Sequence, residues 1–400
     1  MRKLTFTLKQ HTPLIHFQLE KDASFRATEL KPKLDKYLYQ NAGVKDSWKL
    51  KGQEAIDYKV RIDSKGVELT EITGSDKVPM FFGNMGGEYE KHPKYLSFTH
   101  EPILITFFSF NAEVLNAIKQ HFGAFLMTVN FGTRQSKGFG NYLLKDQPHE
   151  ALDQYFDLTF QLSIEPNASL DNLFFRGNGH NKSDQLKGWI RLMGQVDIFY
   201  KSLRSGINRK DGQKGTVFYI KPAIFHYAKD VLKVQWDKKS IKERYVSQEL
   251  RKQLNNHPNS DVLHFESGTT NGHHVLLKDI FGLSSEESWR SYSAKVSKEN
   301  RQIKRFRSPL LFKPVQVSRN RYLIGVKHFD VDPAFLNQDF RIKFGHQTGL
   351  TLRTPGQFSW PDFFKYLKTQ MPDVNQRSRS DQKVAAQPEY QVLKAIYDQL

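Results

Sequence analysis

The chain has 400 residues, with 60 Lys+Arg against 42 Asp+Glu, 38% hydrophobic residues and no cysteine. That length suits two domains, or one large domain with insertions, and the apolar content excludes a disordered chain. A formal charge of +18 favours a polyanionic partner, either nucleic acid or an anionic surface, and the lack of cysteine excludes disulfides, thiol catalysis and cysteine-based zinc sites.

Arg2–Lys9 alternates Leu4, Phe6 and Leu8 on one face, which predicts a half-buried strand ending at Thr12-Pro13 rather than a signal peptide. No apolar run approaches the length of a membrane span, so a soluble, cytoplasmic chain with no membrane partner is expected. After a loop holding Glu20, Asp22 and Ser24, Ala27–Gln40 carries Leu30, Leu34, Tyr37 and Leu38 at helical spacing, with Lys31, Lys33 and Lys36 on the other face. Pro32 fits best in a first turn, which predicts that the helix proper begins near Lys31. Ile56–Ile62 and Val67–Ile72 flank Ser64-Lys65-Gly66 and predict a hairpin. Ile103–Phe110 predicts a buried strand, Ala112–Phe122 an amphipathic helix and Ala124–Val129 a further strand. This order of strand, helix, hairpin, strand, helix, strand fits an α+β sandwich with helices on one side of an antiparallel sheet.

A second part opens with an echo, since Leu158-Thr-Phe-Gln-Leu162 repeats Leu4-Thr-Phe-Thr-Leu8 and again closes at a proline, Pro166. A basic helix follows over about Ser183–Arg204, with Leu186, Ile190, Met193 and Tyr200 on one side and Lys187, Arg191, Lys201 and Arg204 among its cations. We read two copies of one supersecondary plan, residues 1–150 and 151–375, with the boundary near Lys145–Asp153. Gly206–Gly215 reads as a flexible basic loop and Asn255–Gly272 as a polar excursion. The polar tail Met371–Gln387 precedes a short helix at Glu389–Leu400, so residues 376–400 form a linker and terminal helix.

Two stretches carry candidate chemistry. Residues 131–140, FGTRQSKGFG, hold three glycines, Arg134 and Lys137 without an acid. Such a segment is a hairpin turn, or else a bend whose backbone N–H groups cradle phosphate beside added cationic charge. A nucleotide P-loop is excluded, because five residues separate Gly132 from Gly138 and Phe139 follows. Lys295–Arg321 holds nine Lys/Arg and one acid, Glu299. Its core, Lys304-Arg305-Phe306-Arg307, sets an aromatic among cations, the pairing a single-strand binder needs, although a merely solvated face has the same composition. The neighbouring Ser308–Phe312 predicts a strand core. No metal-binding histidine motif, Gly-x-Gly-x-x-Gly or Gly-x-Ser-x-Gly is present, so no metal, cofactor or catalytic residue is assigned. His16 and His180, each in a loop before a basic helix, are candidates for the general base of a metal-free ribonuclease, with Glu20 and Asp22 as acidic alternatives.

Thr12-Pro-Leu-Ile15 followed by Phe25-Arg-Ala-Thr-Glu-Leu-Lys31 resembles the opening of RAMP proteins of CRISPR systems, and FGTRQSKGFG resembles their glycine-rich loop. Leu186-Lys-Gly-Trp-Ile-Arg191 and Arg305-Phe-Arg-Ser-Pro-Leu310 are similar to segments of the subunit-one family of the Cmr (type III-B) effector complex. The similarity covers about a quarter of the chain, in four islands, and the Lys-Gly-Trp-Ile-Arg stretch falls in the second half rather than in the first helix. The resemblance implies two ferredoxin-like (RRM-like) RAMP domains with insertions. It further implies an RNA-binding subunit of a surveillance complex, with guide RNA (crRNA), target RNA and other RAMP subunits as partners, and not the target-cutting subunit. On that reading Arg134, Lys137 and the amides of Gly138 and Gly140 take phosphates, Phe139 stacks a base, and Arg26, Lys31, Lys33, Lys187 and Arg191 line a groove, with Lys304, Arg305 and Arg307 adding a second basic site. A metal-free guide-RNA-processing endoribonuclease is the alternative.

Overall fold

The computed structural model describes residues 1–15, 25–72, 94–146, 152–175, 183–211, 215–246, 274–289, 294–369 and 386–400. Two compact units emerge, Met1–Val196 with Leu311–Lys327, and Asp197–Leu310 with His328–Leu400. Both mix helices with antiparallel sheets, as the α+β reading expects.

In the first unit, the strand Arg2–Gln10 lies inside a four-stranded antiparallel sheet ordered Lys59–Asp63, Ile103–Ser109, Arg2–Gln10, Tyr142–Leu144. Its register sets Leu4 opposite Phe107 and Leu8 opposite both Ile103 and Leu144. Leu8, Ile105 and Phe107 therefore share one face, where they pack with Leu30, Leu34 and Leu38 of the helix Ala27–Asn41 and with Val114, Ile118 and Phe122 of the helix Ala112–Thr128. Burial of each such side chain contributes roughly 1.5–3 kcal/mol, which is why the period-two and period-3.6 patterns fix these elements.

Three local expectations are corrected. The first helix starts at Ala27 and keeps Pro32 in its interior, because the buried Leu30, Leu34 and Leu38 stripe outweighs the backbone hydrogen bond lost at proline. Lys59–Asp63 and Val67–Ile72 do not form a hairpin with each other: the first pairs with Ile103–Ser109, the second with Lys94–Thr99 in a separate small sheet that also holds Leu14–Ile15. Gly66, at a φ of +58°, turns the chain from one sheet to the other. Ala124–Thr128 is the end of the second helix and not a strand, since Phe122, Phe125 and Leu126 continue one buried stripe at helical spacing; Val129 is its C-cap.

The echoing strand Leu158–Ser163 pairs antiparallel with Arg321–His328, which neighbours Leu310–Ser318. The long helix spans Asp184–Arg204 and buries Leu186, Ile190, Met193 and Tyr200.

The second unit is organised on a six-stranded mixed sheet ordered 235–236, 274–275, 347–353, 339–344, 294–299, 286–289. Phe281 packs edge-on against Trp360 and Phe363, at centroid distances of 5.0 and 5.7 Å, which seats the helix Trp360–Thr369. The expected basic loop at Gly206–Gly215 is corrected too: Ile207–Asp211 is a strand paired with Gly215–Ile220. The terminal helix runs Pro388–Tyr397. The Asn255–Gly272 excursion and residues 370–385 of the polar tail lie outside the described residues. Among the described residues no helix is long and apolar enough to cross a membrane.

Candidate nucleic-acid interface

The segment 131–140 is a compact bend with positive φ at Gly132 (74°), Arg134 (56°), Gly138 (97°) and Gly140 (66°). All three of its glycines are required by space as well as by φ, a Cβ on Gly132 standing 2.5 Å from the Ile15 carbonyl oxygen. A Cβ on Gly138 would stand 2.7 Å from Pro314 Cγ, and one on Gly140 would collide with the Phe131 carbonyl oxygen.

The amides of all three glycines and of Thr133 have partners within the protein. Gly138 donates to the Gln135 carbonyl (3.2 Å), Gly140 to the Pro13 carbonyl (2.9 Å) and Thr133 to the Ile15 carbonyl (2.7 Å). The Gly132 amide donates to both oxygens of Glu29, at 2.9 and 3.1 Å. The expected phosphate cradle at Gly138 and Gly140 is thus corrected, because the Gly138 amide closes the bend on itself and the Gly140 amide ties it to Pro13, ahead of the first helix. Phe139 is 2% exposed, so its ring packs in the interior and offers no face to a base.

The lysines of the first helix brace this bend rather than line a groove. Lys33 Nζ donates to Glu29 Oε1 (2.7 Å), to the Asn130 carbonyl (2.9 Å) and to Gln135 Oε1 (3.0 Å), and lies over the Phe131 ring. Burial holds its pKa below the ordinary lysine value, with Glu29 opposing the shift. Lys31 Nζ donates to Asp35 and to the Ile56 carbonyl and sits 3.8 Å from the Tyr58 ring centroid. Arg26 is the N-cap residue of that helix and is half-buried.

From the other side, Lys313 reaches in from the strand Leu310–Ser318. Its fully buried Nζ donates to the Val129 carbonyl (2.7 Å) and to Asn130 Oδ1 (3.0 Å), while Asn130 Nδ2 donates to the Gln135 and Phe312 carbonyls. Burial, helped by the nearby Lys33 charge, depresses the Lys313 pKa far below the usual lysine value. The bend is therefore a rigid mount with Arg134 and Lys137 at the two ends of one turn, Arg134 half-buried and the Lys137 Nζ buried, and with the Lys137 amide donating to the Arg134 carbonyl.

Arg191 also departs from expectation. It is 5% exposed, forms a two-pronged ion pair with Asp171 (Nε to Oδ1 2.6 Å, Nη2 to Oδ2 2.9 Å), and lies over the Phe175 ring. That geometry belongs to a structural clamp, which the twenty-residue separation of Asp171 and Arg191 gave no means to foresee. Lys187 is half-buried, 4.0 Å from Asp184.

The basic stretch 295–321 divides by burial. Lys298 and Lys313 are interior, and Lys295 pairs with Glu286 at 2.7 Å. Arg301, Lys304, Arg305 and Arg307 are exposed. Phe306 stacks on Phe335 with ring centroids 4.0 Å apart and planes at 6°, and its carbonyl accepts from the Leu283 amide. Here too the aromatic corrects the expectation. It pins an irregular segment, and its cationic neighbours are held in solvent by that pin.

His16, His180, Glu20 and Asp22 lie outside the described residues. Among the described residues no group of three or more His, Asp or Glu could hold a metal ion. Motif reading missed Lys3, Lys59 and Arg61, exposed strand residues that come together only through strand pairing.

Family comparisons agree along the chain. A model of the Cmr1 N-terminal domain matches residues 1–207, and a model of the Cmr1 C-terminal domain matches residues 219–390. Among solved structures, that of Cmr1 from Pyrococcus furiosus in an apo form is similar over 83% of this chain and 90% of that one, at 13% identity and a TM-score of 0.31. No curated protein matches the chain. With the two domain models covering both halves, the chain belongs to the Cmr1 family, the subunit-one family of the type III-B CRISPR (Cmr) complex.

Proposed function

We propose that this subunit is a non-catalytic RNA-binding component of the type III-B surveillance complex, contacting guide RNA and assisting capture of target RNA beside other RAMP subunits in the cytoplasm. The observation that carries this reading is the segment 301–307, where Arg301, Lys304, Arg305 and Arg307 are exposed around an anchored Phe306. Cations held on a fixed backbone attract phosphates at a reduced ordering cost. Arg134, on the braced bend, is proposed as a second contact, with the charge of Lys137 behind it and Lys187 as a further cation. Their role is charge, since the Gly132, Gly138 and Gly140 amides have internal partners.

The domain plan belongs to the same proposal: two ferredoxin-like RAMP domains over 1–150 and 151–375, then residues 376–400. Support comes from the first sheet, whose strands, read from edge to edge, are the second, third, first and fourth in chain order, with two helices on one face. In the second part, the strands 310–318, 321–328 and 158–163 repeat the second, third, first portion of that order.

The test is fluorescence anisotropy with a labelled single-stranded RNA in EDTA, alongside a gel assay for cleavage. Binding that favours single-stranded RNA over duplex DNA at equal salt, with the RNA left intact, is expected. Cleavage abolished by His16→Ala would establish the ribonuclease instead.

A further inference from the structure

The open face of the first sheet carries charge and aromatic groups that no motif revealed. Side chains alternate along a strand, so with Leu4, Phe6 and Leu8 directed at the helices, Lys3, Thr5, Thr7 and Lys9 occupy the opposite face. The register then sets rows across three strands. Lys59, Phe108 and Lys3 form one, and Arg61, Thr106 and Thr5 form the next, about 6.8 Å along the strands. A 3.2 Å contact between Thr5 Oγ1 and Thr106 Oγ1, and an Arg61 to Asp63 ion pair at 3.0 Å, confirm that these groups share a surface.

Lys3, Lys59 and Arg61 are exposed, and Phe108 is half-buried. Phe110, just past the strand, is 79% exposed. Toward the Tyr142–Leu144 edge the same face closes over, with Leu143 buried, so the open part is the end bearing Phe108. Asp63 is the one acid on this face within the described strands, and it is already paired with Arg61.

We propose that this face is a stacking platform for single-stranded RNA, with a base on Phe108 and phosphates held by Lys3, Lys59 and Arg61. Its occupant follows from charge: an aromatic flanked directly on both neighbouring strands by lysines complements a base bracketed by phosphates, and bases must be unpaired to lie on a ring. The inference rests on the reading of the chain as RNA-binding, but it uses residues separate from 301–307 and from the glycine bend. Phe108 differs from Phe139 in being half-buried rather than 2% exposed, and from Phe306 in that no aromatic ring of the described residues stacks on it.

The test uses the full chain, a labelled single-stranded oligouridylate, and Phe108→Ala with Lys3→Gln/Lys59→Gln as a second variant, both checked by thermal melting. Affinity should fall about tenfold for Phe108→Ala, a blunt RNA duplex should compete poorly, and ultraviolet crosslinking should label a peptide containing Phe108. Should Phe108→Ala melt early, the double lysine variant decides, and unchanged affinity there overturns the platform. Wild-type binding matched within twofold by folded Phe108→Ala, with crosslinks elsewhere, overturns the platform and leaves the RNA-binding reading intact. Wild type that binds no RNA overturns both. A Phe108→Ala chain that retains RNA but no longer copurifies with other subunits makes this a protein-docking face and also overturns the proposal.

Discussion

Lys33 Nζ donates to the Asn130 carbonyl oxygen at 2.9 Å and so ties the first helix to the bend that follows the second, ninety-seven residues away in sequence. With Glu29 and Gln135 as its other partners, this ammonium group stabilises the mount rather than an external anion. Lys33→Met should lower unfolding stability by about 1–3 kcal/mol, read as a drop in the urea midpoint at constant slope. Intrinsic RNA affinity of the folded variant should stay within about twofold of wild type.

The glycines of the bend and those of ordinary turns should respond differently to substitution. Gly345 has a φ of +58° with no atom within 4 Å of a built Cβ, so Gly345→Ala should cost about 1 kcal/mol from backbone strain. At Gly140 the same strain adds to a collision with backbone at Phe131, and Gly140→Ala should cost about 3 kcal/mol or more. Denaturant melts of the two variants compare them directly.

A buried charge cluster underlies the second unit. Lys298 Nζ lies 2.6 Å from Asp279 Oδ2 and 2.7 Å from Glu287 Oε1, while Lys278 Nζ is 2.6 Å from Glu287 Oε2. Lys298→Met leaves two carboxylates short of a partner and should destabilise by about 3–5 kcal/mol. Burial alone raises the Glu287 pKa, but Lys298 and Lys278 more than offset it and hold the carboxyl well below its usual value. The unfolded chain therefore binds a proton near pH 4.3 that the folded chain refuses, so this contribution is complete above that pH and is lost as acid approaches the lower folded value. Glu287→Gln should flatten that part of an acid-denaturation curve.

Lys313 adds a pH dependence of the same sign on the alkaline side. Its folded pKa is depressed, so between that value and about 10.4 the unfolded state carries a proton the folded state has lost, and stability rises with pH. Measured against Lys313→Met across pH 7 to about 10, the wild-type advantage should increase with pH; a constant difference would show that the amine is charged in the fold.

Periodic elements were legible in the sequence because one buried stripe decides each of them: Leu4, Phe6 and Leu8 for the first strand, Leu30, Leu34 and Leu38 for the first helix. Partners were not legible. Val67–Ile72 reads as the mate of Lys59–Asp63 on proximity alone, yet each completes a different sheet through contacts tens of residues away. The same limit governs the candidate site. Composition picked out Arg191, Lys31 and Lys33 as cations, but Asp171, Asp35 and Glu29 decide their roles, and those pairings exist only in the folded chain. Exposure of Lys304, Arg305 and Arg307 agrees with the sequence because no acid or apolar stripe competes for them nearby.

The most direct test is the salt dependence of single-stranded RNA binding by wild type and by Lys304→Glu/Arg305→Glu/Arg307→Glu. Loss of three phosphate contacts should weaken binding across sequences and shrink the slope of log affinity against log salt by about 2, without altering the melting curve. A folded triple variant with wild-type affinity and an unchanged slope would contradict the assignment of these cations to RNA.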